Sequence, residues 1–151
     1  MTSVNKTIQF LMDELRNPDN LIAGMVDNQI FSGLPRTPST LIEPHYTRIG
    51  VEYATDSGDG YFFTEFRDFD CLNIKIKITV SSAYGENENY CRDLMERICY
   101  LFSIHRKKIT TDYRIFIDNV QTDVIEENNE RWNGTINMSV RQFEKIPEDI
   151  T

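Results

Sequence analysis

Histidine is scarce in this chain, cysteine is few and odd in number, and no apolar run is long. Each shortage removes a class of function. Neither His45 nor His105 has another ligand-type residue three or four positions away, so a zinc site is not expected. The cysteines are Cys71, Cys91 and Cys99. Three cannot all pair, and no short paired spacing joins them, which argues against a secreted disulfide framework. Cys91 and Cys99, eight apart in a stretch that reads as helix, are expected to be small buried hydrophobes in a reducing cytoplasm. No uninterrupted apolar stretch approaches the ~18 residues of a membrane span. The opening "MTSVNKTIQF" has no basic region followed by an apolar core, so no signal peptide is expected. P-loop, GxGxxG, GxSxG and HExxH patterns are missing too. The expectation is therefore a non-enzyme with no catalytic residues, no metal and no cofactor. A small enzyme would become arguable only with His45 in a deep pocket beside two carboxylates.

Positive charge is also short. Sixteen Lys and Arg face 24 Asp and Glu, a formal net charge of -8. Such a chain is a poor binder of nucleic-acid phosphates and, lacking a polybasic cluster, of membrane surfaces.

What is present is an ordinary globular composition, 40% hydrophobic and 26% charged. At 151 residues it suits one α+β domain spanning 1–151. "SVNKTIQFLMDELR" places Val4, Ile8, Leu11 and Leu15 at helical spacing, and Pro18 after Asn17 ends the helix. "NLIAGMVDNQIF", residues 20–31, predicts a second short helix despite Gly24, and a proline-bearing connector follows. "HYTRIGVEYAT" reads as a strand with Ile49, Val51 and Tyr53 on one face.

The clearest signal is "CLNIKIKITVSS", residues 71–82, in which Leu72, Ile74, Ile76, Ile78 and Val80 alternate with Asn73, Lys75, Lys77, Thr79 and Ser81. One face is greasy and the other wet. The next helix, "ENYCRDLMERICYLF", carries a stripe of Tyr90, Leu94, Ile98 and Leu101, widened by Cys91, Met95 and Phe102. That stripe is expected to pack over the isoleucine face of 71–82. Strands at 113–120 and 131–143 close the order, joined by the acidic connection "QTDVIEENNE". The architecture expected is a mostly antiparallel or mixed sheet of about four strands against two main helices.

Two surfaces stand out as candidate contacts. Tyr61, Phe62, Phe63, Phe66 and Phe69 fall within nine residues, interleaved with Glu65, Arg67, Asp68 and Asp70. Either alternate rings are core, or they form a protein–protein anchor, since aromatics with Arg are enriched in hot spots. The preceding "DSGDG" (Asp56, Asp59) lacks the ligand spacing of a calcium loop and reads as a turn. Glu126, Glu127 and Glu130, with Trp132 just beyond, form a second candidate surface at a hairpin tip.

The order "TIQFLMDELR", "PHYTRIGVEYAT", a long loop, "LNIKIKITVSS", "ENYCRDLMERICYLF" and two final strands resembles the tail-terminator (tail-completion) proteins of long-tailed bacteriophages. The match covers nearly the whole chain and is one of element order, not of a signature motif. It implies a structural protein that forms a ring, usually of six, caps the tail tube, stops its polymerisation and joins the tail to the head. Implied partners are copies of itself, the tube protein and a head–tail connector or neck protein, with DNA passing through the ring without specific binding and no membrane involved. The implied place is the head-proximal end of the virion tail, after assembly in the host cytoplasm. Asp59, Tyr61, Phe62, Phe63, Phe66, Arg67, Glu126, Glu127, Glu130 and Trp132 become candidate interface residues. Lys75, Lys77 and Thr79 become candidates for facing the lumen or a neighbour. Six chains at -8 apiece would surround the DNA with 48 net negative charges, a wall that repels phosphates. Lysines 75 and 77 lining that lumen would count against such a wall. The alternatives are another neck or tail component, such as a head-completion or tube-related protein, or an acidic protein-binding inhibitor.

Overall fold

The computed structural model describes residues 3–32, 47–53, 61–66, 69–82, 87–103, 115–122, 125–128 and 131–145. Helix α1 runs Ser3–Arg16, a 3-10 turn follows at Pro18–Asn20, and α2 occupies Ile22–Met25. The strands are β1 (Ile30–Ser32), β2 (Arg48–Tyr53), β3 (Tyr61–Phe66) and β4 (Phe69–Ser81). After α3 (Glu88–Ser103) come β5 (Ile115–Thr122), β6 (Glu126–Asn128) and β7 (Arg131–Lys145).

All seven strands join one sheet, in the order β1-β2-β4-β7-β5, with β3 added to β4 and β6 to β7. β1 lies parallel to β2 and every other pairing is antiparallel, so the sheet is mixed. The fold is α+β, as expected, yet it has more strands than four, because two long strands are interrupted and the short β1 is added beside β2. On one edge of β4, Tyr53 stands opposite Ile76 and Tyr61 opposite Ile74. Only Lys75 separates those partners, so β2 and β3 follow one line along the same edge of β4 although residues 54–60 lie between them in the chain. On β7, Thr122 stands opposite Ile136 and Glu126 opposite Asn133. The acidic connection thus contains strand β6 instead of being all loop. Two long hairpins result, β2–β3 with β4 and β5–β6 with β7, joined side by side along thirteen pairs from Phe69↔Lys145 to Ser81↔Asn133.

The pleat decides the core. Leu72, Ile74, Ile76, Ile78 and Val80 of β4 are buried, as are Ile136, Met138 and Val140 of β7 and Ile49 and Val51 of β2. Helix α1 adds Ile8, Leu11, Met12 and Leu15, spaced i, i+3, i+4, i+7. It lies over β1 and β2. Its end is tied down: Asn20 donates from Nδ2 to the Glu14 carbonyl at 2.5 Å, and Arg16 donates to the Ile30 carbonyl at 2.8 Å. These bonds satisfy carbonyls that the end of a helix and of a strand would otherwise leave unmet.

Helix α3 is capped by Asn87, whose Oδ1 accepts from the Tyr90 amide at 3.1 Å. It buries Cys91, Leu94, Met95, Ile98 and Phe102, with Tyr90 and Leu101 only half-buried. The buried stripe is therefore turned slightly from the one read in the sequence. The helix lies chiefly over β5 and β7 and less over β4, a correction to the expected seat. At this seat α3 meets Gly134 of β7: a Cβ there would sit 2.1 Å from the Met95 sulfur, so a side chain at 134 would have to push the end of Met95 aside. The remaining roof over β2 belongs to α1.

The second predicted helix is cut to one turn. Leu21, Asp27 and Asn28 have φ of 66°, 49° and 60°, left-handed values that flank α2 and prevent propagation. The Tyr90 hydroxyl donates to the Met25 carbonyl at 2.5 Å and pins this short helix to α3.

Candidate functional site

Because α1 and α3 pack on one face of the sheet, the other is uncovered by any described helix. Antiparallel register assembles that open face in rows. One row is Glu52, Lys77, Asn137 and Gln121, and the next is Lys75, Ser139 and Asn119. A third holds Gly50, Thr79 and Thr135, and a fourth Asn73 and Arg141. Lys75, Asn137, Asn119 and Gln121 are exposed, and Glu52, Asn73, Lys77, Thr79, Thr135, Ser139 and Arg141 half-buried. The register sets Glu52 beside Lys77, an opposite-charge cross-strand pair. Arg141 grips Asp118 with both arms, Nε–Oδ2 at 2.7 Å and Nη2–Oδ1 at 2.9 Å, and its guanidinium lies 5.8 Å from the Phe143 ring centre. The β-bulge between Ile117 and Asn119 leaves Asp118 out of the ladder register, where it meets Arg141.

At one end of this face the polar side chains are buried. Arg131, 3% exposed, donates from Nε to the Ser81 hydroxyl at 3.1 Å, and Arg48 is 8% exposed. Ser82 exchanges two bonds with Trp132: its Oγ accepts from the Trp132 amide at 2.8 Å, and its own amide donates to the Trp132 carbonyl at 2.9 Å. On the core side, the Thr7 hydroxyl bonds Gln142, both buried, joining α1 to β7. Sequence reasoning missed Gln142, although it continues the Ile136–Met138–Val140 alternation by one more step.

The candidate residues fall into three groups. Lys75, Lys77 and Thr79 lie together on the open face, as their alternation predicted. Glu126 and Glu127 are exposed on β6, while Trp132 is half-buried and packs against the core. Tyr61, Phe62, Phe63 and Phe66 lie on β3, where Tyr61 and Phe63 stand opposite Ile74 and Leu72 and Phe62 opposite Asn73. Asp56, Asp59, Arg67, Glu130, His45 and His105 lie outside the described residues.

A groove of about 580 Å³ runs between α3 and the β5–β6 strand, lined by Glu88, Arg92, Met95, Glu96, Cys99, Thr122 and Ile125. Its rim holds the Glu88–Arg92 ion pair, spaced one helical turn apart at 2.5 Å. Burial and the neighbouring Glu96 push the Cys99 thiol up. Burial pushes the Cys91 thiol up to about 11, against a smaller opposite pull from Arg92 and a small further push from Glu88. Neither thiol is primed as a nucleophile. Among the described residues no group of three His, Cys, Asp or Glu could hold a metal ion, and no helix is long and apolar enough to cross a membrane.

No family model matches the sequence, and no curated protein matches it. Among solved structures, a chain of the virion of a native gene transfer agent particle is similar over 95% of this chain and 100% of that one. The TM-score is 0.57 at 10% identity, a likeness of fold.

Proposed function

We propose that this protein is a structural, non-enzymatic component of a phage-like virion, and within that class a tail terminator: a ring-forming adaptor between tail tube and head. The observation that carries the first step is the end-to-end fold likeness to a chain of a gene transfer agent virion. The second step rests on the element order that resembles tail terminators and on a sheet with one face that no described helix covers. Such a ring would work by geometry. One rim seats on the last tube ring and denies it further subunits, and the other rim meets the neck. Head-to-tail contacts between identical chains close the circle. A ring of six 17.7 kDa chains would weigh about 106 kDa.

Immunogold labelling of particles, with and without this chain, tests the reading. Label confined to the head-proximal tail tip, with overlong or headless tails in its absence, is the expected result. Label along the whole tube, or at the capsid alone, would favour a tube-related or head-completion protein and overturn the terminator assignment.

A further inference from the structure

The groove beside α3 joins an apolar floor to an acidic rim. Met95, Cys99 and Ile125 line it, the last two half-buried, so carbon and sulfur face whatever enters. Its volume of about 580 Å³ falls within the roughly 300–1,000 Å³ of clefts that hold ligands. Along the helix wall Glu88, Arg92 and Glu96 follow one another at intervals of four residues, which stacks them on one side of α3. Arg92 pairs with Glu88, so the exposed Glu96 carries the excess charge of that wall. Arg97, two residues from both Met95 and Cys99, belongs to the opposite side of the helix. Across the groove, Glu127 stands two residues beyond Ile125 and opposite Trp132, which packs against the core. Strand alternation therefore turns Glu127 to the α3 side of the sheet, where it is exposed. Three carboxylates and one guanidinium thus surround an apolar floor.

We propose that this groove docks a basic segment of a partner protein, one that presents Lys or Arg beside an apolar side chain. The apolar side chain sits on Met95, Cys99 and Ile125, and the thioether adapts to its shape. The alkyl stems of Lys or Arg cross the same floor while their charged ends reach Glu96 and Glu127. Charge selects this occupant. An acidic peptide, a nucleic acid or an anionic headgroup meets like charge at the rim. A second copy of a chain at -8 is repelled at long range as well, whereas a basic partner is drawn in. The inference goes beyond the terminator reading and holds wherever in a virion the protein stands.

The test uses three capped synthetic peptides as probes: LKKLLK, its acidic counterpart LEELLE, and SKKSSK, which keeps the charge and loses the apolar side chains. Each is titrated into the protein carrying carbon-13 labels on its methionine and isoleucine methyls. LKKLLK should shift the Met95 and Ile125 methyls and slow alkylation of Cys99, and it should bind at least fivefold more tightly than either control. Its affinity should fall in 1 M salt. E96K/E127K should weaken LKKLLK at least tenfold and take up LEELLE in its place. D13K/D93K makes the same change of charge at exposed positions on α1 and on the opposite side of α3, and should keep affinity within about twofold. All four substituted residues are exposed, and circular dichroism checks that both variants fold. Equal losses in the two variants, methyl shifts only at other residues, or binding that does not distinguish the three peptides overturns the proposal. So does wild-type self-association that E96K/E127K alone removes, because it puts a second copy in the groove.

Discussion

The seat of α3 on the sheet depends on a missing side chain, and that makes a sharp prediction. A Cβ on Gly134 would fall 2.1 Å from the sulfur and 2.9 Å from the terminal methyl of Met95, both far below van der Waals contact. Gly134→Ala must therefore displace the Met95 tail or lift the helix. The obstacle is the flexible end of a thioether, so the cost should sit low in the range for overpacking, about 1–2 kcal/mol. Met95→Ala alone empties space at a residue 3% exposed and should cost about 2–4 kcal/mol. Together the changes should cost less than their sum by about 1 kcal/mol or more, because the new methyl enters the space the thioether vacates. Urea unfolding of the four proteins, read by circular dichroism with a shared slope, measures the coupling. Strict additivity, within about 0.5 kcal/mol, would mean that helix and strand do not meet at this point, and the placement of α3 over β7 would fail with it.

The two faces of β4 should respond unequally to truncation. Ile76→Ala removes a fully buried side chain from the centre of the sheet and should cost about 3–4 kcal/mol, whereas Lys75→Ala next to it should stay within about 0.5 kcal/mol. Equal urea midpoints for the two would refute the face assignment. Cys91 should resist alkylation in the native protein at pH 8 and react on unfolding, while half-buried Cys99 reacts sooner, as peptide mapping would show. Because the Cys91 thiol stands at about 11 when folded and 9.0 otherwise, the unfolded chain releases its proton first. Its contribution should be level below pH 9 and fall as pH rises from 9 to about 11, measured by denaturation against a Cys91→Ala control. The Arg141–Asp118 pair, with side chains 43% and 39% exposed, should show a double-mutant coupling below about 1 kcal/mol that shrinks in 1 M salt. A larger or salt-resistant coupling would mean the pair is shielded from water.

The isoleucine ladder of β4 and its lysine side were legible in the sequence because strand side chains alternate with a period of two, and five apolar residues in step leave one choice of face. The amphipathic cycle of α1 was legible for the corresponding reason, at a period of 3.6 residues. Those local periodicities settled the α+β class and placed Lys75, Lys77 and Thr79 on a wet face. What they could not settle was partnership. That β2 and β3 are halves of one interrupted strand follows from pairing along β4, which no window of sequence contains. That α3 roofs β5 and β7 brings Met95 against Gly134, residues far apart in the chain. The standing of Arg48 opposite Ser81 and of Arg141 opposite Asn73 is likewise a product of register between distant strands. Sequence fixes which way a side chain points along its own element; only the tertiary pairing, where backbone hydrogen bonds choose neighbours, decides what it stands beside.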